Sequence, residues 1–246
     1  MSEPHAVSVR EVIGKLSAAF ERDKLINVHR HPLKVRAADG RLIPEGQVED
    51  VAARRRALEL AGRIVNGQWP IEDRLRRETG EPMGERHLRD EVMQRLSTEP
   101  VFSRYSLRAH TENKFETLHD GGPDSYEVEV HIDRGKVTLN GVVESLSHRR
   151  LAEALVWWSS GCETVDNQLE VNPPQEDSDD EITDAVRIIL EKDPRVHAEQ
   201  LRVGTAGGVV HLDGLVTREA ERKAAVLDAW TVDGVWDVAD RIEVGS

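Results

Sequence analysis

Three stretches of this chain align with one another without a gap, and that self-similarity limits the possible folds more than any other feature. They read LKVRAADGRLIPEGQVED (33–50), VEVHIDRGKVTLNGVVES (128–145) and LRVGTAGGVVHLDGLVTR (201–218). The eighth place is glycine in each (Gly40, Gly135, Gly208), and so is the fourteenth (Gly46, Gly141, Gly214). Valine holds the third place (Val35, Val130, Val203) and the sixteenth (Val48, Val143, Val216). Alternating apolar residues that run into a glycine and out again form a β-hairpin pattern, the first glycine accepting the positive φ of the turn. The second glycine falls near the end of the returning strand, where a bulge or exit bend favours a residue without Cβ.

The flanks repeat as well. An amphipathic helical pattern precedes each hairpin: Val9, Val12, Ile13, Leu16 and Phe20; Leu88, Val92, Met93 and Leu96; Ile182, Val186, Ile189 and Leu190. Glu99-Pro100 and Asp193-Pro194 end the second and third of these. A second helix follows each hairpin (VAARRRALELAGRIV, LSHRRLAEALVWWSS, EAERKAAVLDAWTVD), then a glycine (Gly67, Gly161, Gly234) and a last strand. The order α-β-β-α-β, taken three times, predicts an α/β (α+β) chain of three tandem two-layer modules. Each is expected to be a three-stranded sheet with both helices on one face. The expected boundaries are 1–78, 85–172 and 180–246, the second holding an insertion over about 108–127. That insertion reads as a longer strand or a hairpin turning at Asp120-Gly121-Gly122-Pro123-Asp124, weighed against an ordinary loop excursion as the bland reading. Linkers fall at 77–86 and 173–181, and the two prolines and five acids of the latter mark it as a hinge for the third module.

Composition agrees with several small cores: 38% of residues are hydrophobic, 32% charged and only 4% aromatic. The single cysteine, Cys162, excludes an internal disulfide framework and fits a reducing compartment. The N-terminus lacks a basic segment followed by an apolar run, and no stretch approaches the ~18 apolar residues of a membrane span, so the expected location is the cytoplasm. The net charge of −13 disfavours nucleic acid as a partner. It is uneven: residues 1–80 carry 15 basic and 12 acidic side chains, whereas 81–172 carry 10 and 17, and 173–246 carry 8 and 17.

No nucleophile elbow, zinc-protease helix or phosphate loop occurs, so no enzyme, cofactor or metal is expected. His29-Arg30-His31 could place two imidazoles on one side of a strand, but no third ligand is spaced to join them, and a solvated loop is the better reading. Arg54, Arg55 and Arg56 open the second helix of the only basic copy, near Lys34, Arg36 and Arg41 on its hairpin. Such a cluster could meet phosphate headgroups; with Glu45, Glu49, Asp50 and Glu59 close in sequence, an ordinary solvated face is the stronger reading. Trp69 and Trp236 share a repeat place, as do Trp157 and Trp230, which argues for packing in the core or between copies. Trp158 has no counterpart and is a candidate contact residue, between copies or with a partner.

An αββαβ unit with a G-x-V-x-L-x-G-x-V hairpin and a V-x-(D/N)-x-(I/L)-x-V last strand resembles the BON domain. GKVTLNGVV…VDNQLEV and GVVHLDGLV…VADRIEV carry the resemblance. The first copy departs from it. Pro44 stands where the others have Leu139 and Leu212, implying an edge or distorted strand, and Arg76-Arg77 stand where the others end in valine. The resemblance implies a non-catalytic binding protein associated with osmotic or envelope stress and with phospholipid surfaces. Many such proteins are exported, and no export signal is visible here. A branch that pairs the domain with a LysM module is linked to potassium, and no LysM-like segment remains once three copies are assigned. Three functions stay open: a soluble stress-related protein whose first copy touches anionic phospholipid, a protein-interaction scaffold, and a potassium- or calcium-responsive sensor. The oligomeric state also stays open.

Overall fold

A computed structural model describes residues 8–80, 84–111 and 114–245. The chain divides into two compact units, Met1–Glu78 and Thr79–Ser246.

The first unit is one αββαβ module: α1 (Val9–Arg22), β1 (Lys34–Ala38), β2 (Arg41–Val48), α2 (Val51–Val65) and β3 (Arg74–Arg77). Ser8 and Asp50 cap the two helices by accepting from the amides of Glu11 and Ala53. Val12, Leu16 and Phe20 of α1 meet Ala53, Ala57, Ala61 and Val65 of α2 over Leu42, Val48 and Leu75 of the sheet. The strand carrying Pro44 is not an edge. The sheet order is β1-β2-β3, with β2 antiparallel to β1 and parallel to β3. The expected distortion has a local cause. Leu42 N–H donates to Pro70 O on the third-strand side at 2.9 Å, so residue 44, two places on, turns its own nitrogen to that side. Proline has no N–H to give. The ladder there shrinks to an isolated Leu42–Ile71 bridge and resumes only at Glu45–Arg74.

The second unit holds two modules. One comprises α3 (Glu85–Thr98), β4 (Tyr105–Thr111), β5 (Lys114–His119), β6 (Tyr126–Asp133), β7 (Lys136–Val143), α4 (Leu146–Trp157) and β8 (Thr164–Val171). The other comprises α5 (Asp179–Lys192), β9 (Leu201–Ala206), β10 (Val209–Val216), α6 (Glu219–Thr231) and β11 (Asp237–Val244). The third module has the expected three strands, in order β11-β10-β9. The second has five, in order β5-β4-β6-β7-β8. The insertion is therefore sheet and not loop. It adds two strands, β4 antiparallel to β5 and parallel to β6, so 120–125 leads from β5 into β6. Tyr105 anchors it: its buried hydroxyl accepts from Glu144 N at 3.0 Å and lies 2.8 Å from His148 Nδ1.

The two repeat glycines have separate duties. Gly40, Gly135 and Gly208 turn the hairpins with φ of 72°, 77° and 71°. Gly46, Gly141 and Gly214 also have positive φ, and a Cβ on each would run into a carbonyl oxygen (of Pro32, Glu127 or Gln200) where the first hairpin strand begins. The second glycine thus permits close approach of that backbone, in the body of a strand and not at its exit.

A further element of the repeat appears only in three dimensions. An Asp or Asn in the last strand, or just before it in the first module, accepts from the amide two residues on: Asp73 from Leu75, Asn167 from Leu169 and Asp240 from Ile242. Each also meets the arginine of the second helix that stands six residues after the sixteenth-place valine. Arg54 pairs with Asp73, Asn167 donates to Arg149 O at 3.0 Å, and Arg222 donates to Asp240 at 2.8 Å. This pinning of strand to helix explains why the last strand needs Asp or Asn at that place.

Candidate functional site

The structure sorts the candidate basic residues onto opposite faces of the first module. Cross-strand partners place Lys34 beside Glu45 and Arg36 beside Ile43, out of phase with the core residues Leu42 and Val48. Lys34, Arg36 and Arg41 therefore lie on the face of the sheet away from the helices. Arg74 and Arg76 of β3 join them, opposite Glu45 and Gln47 and flanking the buried Leu75. These two were missed from the sequence, although their alternation about Leu75 signals a shared outward face. Two acids temper the patch. Arg36 Nε donates to Glu45 at 2.9 Å, and Glu72 receives Arg74 at 2.6 Å and lies 3.7 Å from Arg41. The Arg36 guanidinium holds the Glu45 carboxyl below its ordinary pKa.

Arg54, Arg55 and Arg56 belong to the helical layer and do not meet that group. Arg54 is committed to Asp73, and Arg56 bridges Asp23 at 2.8 Å and Glu59 at 2.5 Å. All three are at least half buried, Arg55 included. His29 and His31 do not share a site either: they sit in a turn before β1, His29 exposed and His31 buried with Nε2 3.5 Å from Glu78. Among the described residues no group of three or more His, Cys, Asp or Glu is placed to hold a metal ion. No helix among them is long and apolar enough to cross a membrane.

Trp158 lies where the second and third modules meet. At the end of α4, its indole N–H donates to Asp228 Oδ1 of α6 at 3.0 Å. Asp228 is 1% exposed, with Asp193 beside it. Burial, and then the Asp193 charge, push its pKa up to about 8. Burial also pushes Asp193 upward, but the Arg195 guanidinium, bonded at 2.6–3.0 Å, outweighs it and holds that carboxyl below its ordinary value. Asp228 is thus the member of the pair that keeps a proton.

The rest of the junction is also polar, and it buries one side of each pair. Arg150 of α4 is 1% exposed; Nε donates to Asp233 O at 2.8 Å and Nη2 grips both oxygens of Asp177 at 2.7 and 2.8 Å. Lys192 meets the buried Glu99 at 2.8 Å. Gln175 accepts from Leu146 N at 2.9 Å, so residues 173–181, expected to be a hinge, are tied down at two points. Trp157 and Trp230 are buried as expected, and Trp69 packs against the first core. Trp236 is not core: it is 51% exposed and lies over the turn glycine Gly208, where a Cβ would come within 2.5 Å of its ring.

Glycine-pinned αββαβ modules in tandem define a repeat protein of small α/β domains. The BON domain family matches residues 114–173 and 178–246, more than half of the sequence, and the chain belongs to that family. Osmotically-inducible protein Y of Escherichia coli (strain K12) is 30% identical over 125 residues, which are 48% of this chain and 62% of that protein. A protein of Anaplasma centrale, described as the uncharacterized protein in gshII 5'region, is 25% identical over 122 residues, covering 48% of this chain and 81% of that one. The chain thus spans under two thirds of the length of the first relative. Among solved structures, the C-terminal domain of CdsD, a structural protein of the Type III secretion system of Chlamydia trachomatis, aligns at 11% identity over 98% of this chain and 100% of that one. Its TM-score of 0.25 gives the likeness no weight.

Proposed function

We propose that this chain is a non-catalytic binding protein of the stress response, and that its first module contacts anionic phospholipid through the outer face of its sheet. The observation that carries this reading is the gathering of Lys34, Arg36, Arg41, Arg74 and Arg76 on that one face. A flat β-face suits a headgroup layer better than it suits a small molecule, which needs a concave site. Each cation near an anionic surface contributes about 1 kcal/mol, and Glu45 and Glu72 offset part of it. With −13 on the whole chain, the resulting attraction is weak and screened beyond a Debye length of about 8 Å at physiological salt. The family resemblance and the name of the Escherichia coli relative support the stress role.

The test is co-sedimentation of the full chain with phosphatidylglycerol–phosphatidylcholine vesicles and with phosphatidylcholine alone, at low and physiological salt. Binding should require the anionic lipid and fall with salt. The triple variant Lys34→Ala/Arg41→Ala/Arg76→Ala should lose it, and Arg63→Ala, exposed on α2, should retain it. Equal binding to both vesicle types, or none to either, overturns the reading. A protein partner is the second reading, favoured by a sheet edge in the third module that pairs with no strand among the described residues.

A further inference from the structure

The second and third modules differ at one sheet edge, and the difference shows what that edge can accept. Val128 and Val130 of β6 occupy the repeat places of Leu201 and Val203 of β9. On its far side β6 is paired in parallel with β4, Leu107 opposite Val128 and Ala109 opposite Val130. β9 pairs with β10 on one side and, among the described residues, with no strand on the other. We propose that the β9 edge takes an extended peptide of a partner protein as an added parallel strand, with apolar residues facing α5 and an acidic residue facing Arg202.

Backbone directions agree. Val203 O is turned away from β10, because Arg187 of α5 reaches it with a 3.1 Å hydrogen bond. In an antiparallel ladder the N–H and C=O of one residue point the same way and alternate along the strand, so Leu201, Val203 and Thr205 all present both groups outward. An open row of this kind is the template used in strand addition.

The side chains around the edge name the occupant's chemistry. In the second module Leu107 and Ala109 of the added strand are fully buried, and Met93 of α3, 4% exposed, packs in the same layer. The helices α3 and α5 are equal in length and end at equivalent acids, which puts Arg187 at the place of Met93. On the outer face, Arg108 of the added strand lies 2.9 Å from Glu127 and 3.5 Å from Glu129. The residues at those two places in the third module are Gln200 and Arg202. Arg202 is exposed and makes no ion pair among the described residues. The sign is inverted, so the complementary strand carries an acid where β4 carries Arg108. Arg187 covers the edge carbonyl as a displaceable plug. Glu221 and His197 hold each other at 2.6 Å at the start of α6, where His148 meets Tyr105 in the second module. The added strand therefore has no tyrosine anchor to use and pairs from Leu201 onward.

The probe is a fluorescein-labelled peptide of residues 105–111 carrying Arg108→Glu, titrated into the full chain by anisotropy. Arg187→Met, which restores the residue of the second module, should tighten binding at least fivefold. Arg202→Glu should weaken it at least fivefold and should favour the peptide with its original arginine. Methylating alternate peptide nitrogens should abolish binding without touching the protein, which keeps the test valid if a variant is poorly folded. Absence of binding to both wild type and Arg187→Met, or binding indifferent to nitrogen methylation and to the charge exchange, overturns the proposal.

Discussion

At the scale of single residues, two kinds of position matter, and only one of them shows in the sequence. Gly214 has φ of 152° and the Gln200 carbonyl against its α-carbon, so Gly214→Ala combines backbone strain with a collision. We expect a loss of about 2–3 kcal/mol in urea unfolding of the Thr79–Ser246 unit. A need that only glycine meets leaves glycine at every copy, and for that reason the hairpins were legible. Asp228 is the opposite case. Its state depends on Asp193 and Trp158, which lie far from it in sequence, and no spacing announces that. Its pKa rises from an ordinary 3.8 to about 8, so the folded form binds the proton more tightly than the unfolded chain does. That advantage is complete below about pH 4 and is lost as pH climbs to about 8. Asp228→Asn removes the titration. The stability of the variant relative to wild type should grow across that window and level off above it, as read by urea midpoints at each pH.

At the scale of elements, the helices were readable and their partners were not. The predicted apolar positions of α3 and α5 are all buried, and α2 spans the predicted stretch. The burial of α4 on all sides was overlooked: every residue from Arg150 to Trp157 is buried, polar ones included. LAEALVWW offers no continuous polar stripe, and a helix without one needs covering on both sides. The buried Arg150 supplies the corresponding test. Arg150→Ala leaves Asp233 O and Asp177 without their donor, and we expect a loss of about 2–4 kcal/mol. A double-mutant cycle with Asp177→Asn should return a coupling energy well above zero. Pro44 signals an edge or a distorted strand, and the structure gives the distorted central one, because the residue reports which N–H is missing and not how many neighbours the strand has.

At the scale of the whole molecule, the repeat predicts three tandem modules with a divergent first copy, and the chain forms two compact units, the first module alone and the second together with the third. Self-similarity reveals what the copies share. The junction is built from what they do not share: the place of Trp158 is held by Thr231 in the third copy, and that of Asp228 by Leu155 in the second. Calorimetry should therefore resolve two transitions, and a fragment of residues 79–246 should melt at the temperature of the corresponding transition in the full chain. A fragment ending at Asn172 should unfold well below it, because the covered side of α4 is laid open. Coincident unfolding of all three modules in one transition would contradict the division.

The buried guanidinium of Arg150 also bears on the ancestry of the chain. Duplicated domains recombine cleanly only where a crossover leaves both products self-sufficient. A break near Glu78 satisfies that condition, since each resulting piece keeps its own core. A break at the prolines of 173–174 would leave one product with a charge it can no longer neutralise and the other with an aspartate, Asp177, that has lost its grip. The second and third modules are thus expected to travel through evolution as an indivisible pair, with the first free to be lost, replaced or acquired.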